Sequence, residues 1–236
     1  VKANKYSNQP LPMNVMAPQK NKEPRYAMPN SLISDIRKEQ IMDAAVAVIS
    51  ETGYSNASLA HIAKRAKIST ALISYYFQTK RDLTDVLVKK LLEKRITYIV
   101  SWVKEADTPM EKLIAYIRAD LSYSTEHPNE GISVTELIYN ARDENGVPYY
   151  GLESDDSDLL EEIIKLIQED GGFPKLDPKS LSIIIKGAVG EYASNKINSE
   201  KIDQKTFGDE LISVVGRLTG FSSQFLFEQL SGQKMK

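Results

Sequence analysis

Between residues 34 and 52 the apolar positions Ile41, Ala44, Ala45, Val48 and Ile49 recur at intervals of three and four, the spacing of one helix face, and Gly53 ends the run. The same rhythm predicts two short helices over 58–66 and 69–77, then a long one from about Lys80 to Glu105. The long helix carries two apolar tracks, Leu83-Leu87-Leu91 and Val88-Leu92-Ile96-Ile99-Val103, so it is expected to pack on two sides and join two cores. Thr79 with Asp82, and Thr108 with Glu111 behind Pro109, pair a hydroxyl with a carboxylate three residues on, the arrangement that starts a helix. The helix from Thr108 is expected to end near His127 and Pro128, with a shorter one over 132–142 and a loop over 143–154 containing Gly146, Pro148 and Gly151. A helix over 157–169 stops at Gly171 and Gly172. Asp177 and Pro178 open the next, with Leu181, Ile184, Ile185, Ala188 and Tyr192 on one face. The last, over 206–230, presents Phe207, Leu211, Val214, Val215, Leu218 and Phe221. With no alternating strand pattern and no internal repeat, the chain reads as all-α, with about nine helices.

Residues 1–30 change the picture at the front. Pro10, Pro12, Pro18, Pro24 and Pro29 among Asn, Gln and Lys predict an extended or flexible leader. The absence of cysteine excludes disulfides, cysteine–zinc sites and thiol catalysis. No apolar run is long enough to span a bilayer and no signal-peptide core is seen, so a soluble cytoplasmic protein is expected. The net charge of -2 conceals an asymmetry: residues 1–95 hold 16 Lys and Arg against eight Asp and Glu, whereas 96–236 hold 14 against 24. A basic front would approach a polyanion that the acidic rear repels.

The segment from Ser58 to Phe77 gives that polarity a purpose. Leu59, Ile62 and Ala63 form the inner face of the first short helix, Ala66 is small where two helices would cross, and Ile68 plugs the turn. Ser69 caps the second helix, Ile73, Tyr76 and Phe77 face inward, and Thr70, Ala71 and Ser74 are left on the exposed side. Small and polar side chains there allow close approach to base edges in a major groove, although a plain helical hairpin would use the same apolar spacing.

Gly53, Tyr54, Ser58, Ile62, Ala63, Ala66, Ile68, Ser69, Ile73, Tyr75, Tyr76, Phe77, Lys80 and Leu83, taken in order, resemble the DNA-binding domain of the TetR family of bacterial repressors. The likeness covers about 50 residues and, for the rest of the chain, only helical layout and length. It implies backbone-phosphate contacts at Ser58, Ser69, Tyr75, Tyr76 and Lys80, and base contacts around Thr70 and Ala71. Three positions depart from the family: Lys67 stands where a turn glycine is frequent, and a left-handed lysine there costs about 1–2 kcal/mol while adding a phosphate contact. Ala71 replaces another frequent glycine, and Ser74, a further base-facing position, replaces a common tyrosine.

The resemblance further implies a helix-turn-helix domain over 31–80, a ligand-sensing and dimerisation domain over 81–230 and a tail over 231–236. Tyr98, Trp102, Tyr116, Tyr123, Tyr139, Tyr150 and Phe173 would line an apolar pocket for an unknown small molecule, with Glu136 or Glu191 offsetting a cation. The last two helices would form a homodimer, with Gly187, Gly190 and Ser194 allowing close approach and Leu211, Val215 and Leu218 supplying apolar burial. The expected protein is a ligand-released repressor on double-stranded operator DNA, without cofactor or metal. Two other classes compete with it: a DNA-binding adaptor controlled by a protein partner, and an enzyme of unrecognised type. The enzyme has little to draw on, since His61 and His127 are the only histidines and no nucleophile elbow, phosphate loop or metal spacing is present.

Overall fold

Helix starts are fixed by short-range hydrogen bonds that the sequence supplies at several points. Thr79 and Thr108 each accept a backbone N–H from the residue three positions on, and the carboxylates of Asp82 and Glu111 return the bond to the threonine N–H. Each such cap is worth about 1 kcal/mol. In the computed structural model, which describes residues 30–149, 155–169, 176–195 and 202–218, these caps belong to two of nine helices found among the described residues. They are α1 (Asn30–Thr52), α2 (Leu59–Ala66), α3 (Thr70–Tyr76), α4 (Lys80–Val103), α5 (Pro109–Glu126), α6 (Pro128–Asn140), α7 (Asp155–Glu169), α8 (Pro178–Asn195) and α9 (Gln204–Leu218). Residues 1–29, Tyr150, the Gly171-Gly172 stop, Phe173, Phe221 and the tail over 231–236 lie outside the described residues.

The apolar stripes assemble two cores. The first joins Ile41, Ala45, Val48 and Ile49 of α1 to Ile62 and Ala66 of α2, Ile73 of α3 and Leu83, Leu87, Val88 and Leu91 of α4. It also takes in Val134 and Leu137 of α6 and Tyr149 beyond it, so packing does not divide at residue 80. The second core gathers Ile99 and Val103 from the far half of α4 with the inner residues of α5, α7, α8 and α9. The long helix thus does serve two cores, but by its length rather than by two opposed tracks.

Three expectations are corrected. The helix predicted over 132–142 begins at once after α5, because Pro128 takes the first helical position, where its missing N–H costs nothing. Ile184 is not buried with Leu181 and Ile185; it is 55% exposed, beside Ile183 at 63%. The buried line of α8 is Leu181, Ile185 and Val189, one residue every four, and Ile184 lies off it. In α9, Leu211 and Val215 pack inward within the same subunit rather than supplying an outer face, which Val214 and Leu218 present instead. No helix among the described residues is long and apolar enough to cross a membrane.

Candidate nucleic-acid interface

Two serines and one left-handed lysine shape the turn between α2 and α3. Ser58 Oγ accepts the His61 N–H at 3.1 Å, and Ser69 Oγ accepts the Leu72 N–H at 3.2 Å. Both bonds use a lone pair, which leaves each hydroxyl proton free to donate outward. Lys67 adopts φ 56° and ψ 42°, the left-handed conformation that glycine takes most readily. It closes a Schellman-type end to α2: the Ile68 N–H reaches Ala63 O at 3.0 Å and the Lys67 N–H reaches Lys64 O at 3.3 Å. Gln40 Nε2 on α1 donates to Ala66 O at 2.8 Å, so another carbonyl at this helix end is satisfied from outside. These bonds offset the cost of a non-glycine residue in the turn.

With Ile73 and Phe77 buried beneath it, α3 turns Thr70, Ala71, Ser74 and Tyr75 to solvent. Tyr75 is 79% exposed and meets the half-buried Tyr76 edge to face, their ring centroids 5.0 Å apart. Ser58, Lys67 and Ser69 are exposed on the same helix-turn-helix unit. Lys80 differs from the others. Its ammonium donates to Tyr54 O at 2.5 Å and lies 3.9 Å above the Tyr54 ring, and burial holds its pKa below the ordinary lysine value.

Tyr54 also connects the helix-turn-helix to the rest of the molecule. Gly53, at φ 77°, turns the chain after α1, and the Tyr54 N–H then donates to Glu136 Oε2 of α6 at 3.0 Å. Glu136, expected beside a ligand, makes this contact because α6 lies along α1. Nearby, the buried Ser133 donates its hydroxyl to Val46 O at 3.0 Å. The sequence reading gave Tyr54 and Ser133 no role; the adjacent Gly53-Tyr54 pair was the available signal for the first, and nothing local marked the second.

The expected pocket residues separate. Tyr98, Trp102 and Tyr123 do come together, with Tyr98 centroids 6.1 Å from Trp102 and 5.5 Å from Tyr123. Tyr98 donates to Glu126 at 3.0 Å, and Tyr123 donates to Glu130 at 2.5 Å. Burial and the Glu130 carboxylate push the Tyr123 phenol well above its usual pKa. Burial would raise Glu130, but hydrogen bonds from Lys94 and Tyr123 outweigh it and hold the carboxyl below its usual range. Tyr116 is wholly buried in the second core, while Tyr139 and Glu191 are exposed, so none of these three joins the cluster. Tyr150 and Phe173 lie outside the described residues. A cleft of about 540 Å³ lies instead between α1, α4 and the α5–α6 corner, floored by Met42, Leu87 and Leu91 and edged by Lys90, Lys94 and Glu130.

Residues 41–87 match the profile of the family described as bacterial regulatory proteins, tetR family. A curated relative, the HTH-type transcriptional regulator BetI of Serratia proteamaculans (strain 568), is 37% identical over 79 residues, which is 34% of this chain and 36% of that protein. The chain therefore matches only about a third of that relative's length. Among solved structures, the fatty acid degradation regulator FadR from Bacillus halodurans superposes with a TM-score of 0.67 at 25% identity, covering 78% of this chain and 99% of that one. The transcriptional regulator FadR from Bacillus subtilis, solved in complex with stearoyl-CoA, gives the same TM-score and identity over 76% of this chain and 98% of its own.

Proposed function

From a chain that belongs to the TetR family of bacterial regulatory proteins, we propose a homodimeric transcriptional regulator, a repressor that a small molecule releases from its operator. The observation that carries this reading is the face of α3: Thr70, Ala71 and Ser74 stand clear of the core on a helix anchored by Ile73 and Phe77. In this reading Thr70, Ala71 and Ser74 reach base edges in the major groove. Ser58, Lys67, Ser69, Tyr75, Tyr76 and Lys80 position the duplex through its phosphates. Lys80 reaches its phosphate with the two ammonium protons that Tyr54 O leaves over.

The second copy docks on the outer faces of α8 and α9, where Ile183, Ile184, Val214 and Leu218 are each more than half exposed. A two-fold pair presents two copies of α3 to half-sites about 34–36 Å apart or a multiple of that. Residues 81–230 sense the effector, and α4 carries the response because its two halves sit in different cores. An acyl-CoA thioester is the first effector class to try, since the Bacillus subtilis relative was solved with stearoyl-CoA.

The test is a titration of fluorescent promoter fragments at two salt concentrations, repeated with stearoyl-CoA. Sequence-selective binding that weakens as salt rises supports the reading. Binding without preference among fragments overturns it, and unchanged affinity at saturating stearoyl-CoA removes that effector alone.

A further inference from the structure

We propose that Glu136 is a positioning residue: from α6 it fixes the angle at which the helix-turn-helix sits on the body, and hence the half-site spacing that the dimer accepts. The inference rests on the DNA-binding reading above.

Much of the contact between α1 and α6 is apolar, built around Val134 and Leu137. Such contact is non-directional and tolerates sliding. Two hydrogen bonds remove that freedom: Ser133 Oγ to Val46 O, and Tyr54 N–H to Glu136 Oε2, both at 3.0 Å. Ser133 and Glu136 are three residues apart, on one face of α6. Their partners lie eight positions apart along α1 and the turn after it, roughly two helical turns. Two separated directional contacts define an orientation where one would leave a pivot.

The second contact is itself built with care. Asn140 Nδ2 donates to the same Glu136 Oε2 at 3.1 Å and orients the carboxylate. Gly53, at φ 77°, sets the Tyr54 amide toward it. The carbonyl of Tyr54 accepts from Lys80, the first residue of α4, the helix that leads into the body. The body therefore holds Tyr54 by its amide while the start of α4 holds it by its carbonyl. A tilt at this point moves α3 of each subunit relative to its copy, and one base pair of register is only about 3.4 Å.

The experiment uses the full chain and a duplex with two half-sites, enriched by the wild-type protein from a random-sequence pool. Affinities are compared for that duplex and for versions with one base pair inserted or removed between the half-sites. Glu136→Ala removes the acceptor, Glu136→Asp withdraws it by one methylene, and Glu136→Gln keeps an amide oxygen that still accepts from Tyr54. Expected is a loss of about tenfold in spacing discrimination for the Ala and Asp variants, the upper end for one ordinary hydrogen bond, with Gln, which keeps that bond, close to wild type. A merely structural role would lower affinity for all spacings alike. Wild-type discrimination in a folded Ala variant, or a Gln variant as indifferent as Ala, overturns the proposal. If the Ala variant does not fold, the Asp and Gln variants decide by the same ratio. Failure of the wild-type chain to enrich any paired half-sites is a different result, one that removes the DNA-binding reading itself.

Discussion

Arg95 of α4 grips Asp120 of α5 with two parallel hydrogen bonds, Nε to Oδ1 at 2.7 Å and Nη2 to Oδ2 at 2.6 Å, and Asp120 has no exposed surface. Taking a carboxylate out of water to that degree is costly, and a bidentate guanidinium offsets the loss. The pair ties α4 to α5 between the two cores, at the point where the long helix passes from one to the other.

Removing Arg95 should therefore be costly. Arg95→Met leaves the Asp120 charge buried without its guanidinium and is expected to lower stability by about 3–5 kcal/mol. Urea unfolding followed by circular dichroism checks this. The double variant with Asp120→Leu should recover much of the loss, because an apolar pair has no charge to desolvate.

The left-handed Lys67 makes an opposite prediction. Lys67→Gly relieves the strain and should stabilise the fold by about 0.5–1 kcal/mol after glycine's greater entropy cost is set against it. If Lys67 also meets a phosphate, the same variant binds operator more weakly, with a salt slope shallower by about one. Thermal melts and a salt titration separate the two effects, and a gain in stability with an unchanged slope would confine Lys67 to the turn.

Base and phosphate roles should part in the same way. Thr70→Ala or Ser74→Ala is expected to relax sequence preference by about 1–3 kcal/mol at one operator position without changing the salt slope. Lys80→Gln should weaken binding to all sequences alike. Competition between matched and singly substituted duplexes reads the first, and salt dependence reads the second.

Acid sensitivity follows from Glu130. Its carboxyl is held below the usual range in the fold, so it contributes stability that is present above the unfolded value near 4.5 and lost as pH falls through the folded value. Glu130→Gln should be less stable at neutral pH yet lose less on acidification below pH 4.5. Parallel urea titrations from neutral pH down through the carboxylate range check it; identical slopes for the two proteins would contradict the linkage.

Dimerisation is tested at Ile184 and Leu218. Replacing either exposed residue with Glu should leave the monomer fold intact and shift sedimentation equilibrium toward single chains, because the face is apolar and unburied within one subunit. Leu211→Glu, at a position packed inward, should unfold the chain instead.

What the sequence made legible was chiefly local. The Thr79–Asp82 and Thr108–Glu111 caps, the Ser69 cap and the Ala66–Ile68 turn depend on neighbours three to five residues away, and the structure contains them all. The bond between Glu136 and Tyr54 was not legible because the two are 82 residues apart, and no spacing rule connects them. The place of Tyr116 in the second core was not legible because an aromatic residue at a helical interval suits a core as well as a cavity, and only the helices around it decide which. Ile184 failed for a related reason: an apolar residue beside a buried stripe looks internal until the neighbouring helices are placed.

The sharing of the first core has a consequence for recombination. Leu83, Leu87, Val88 and Leu91 from α4, with Val134 and Leu137 from α6, close over α1, α2 and α3. A fragment cut after Lys80 would expose the underside of its own helices, and a chimera joined there would ask a foreign body to fill the gap with side chains of matching shape. Transplanting this DNA-reading unit into another regulator therefore requires carrying the inner faces of α4 and α6 along with it, so the exchangeable module in this protein is discontinuous in the chain.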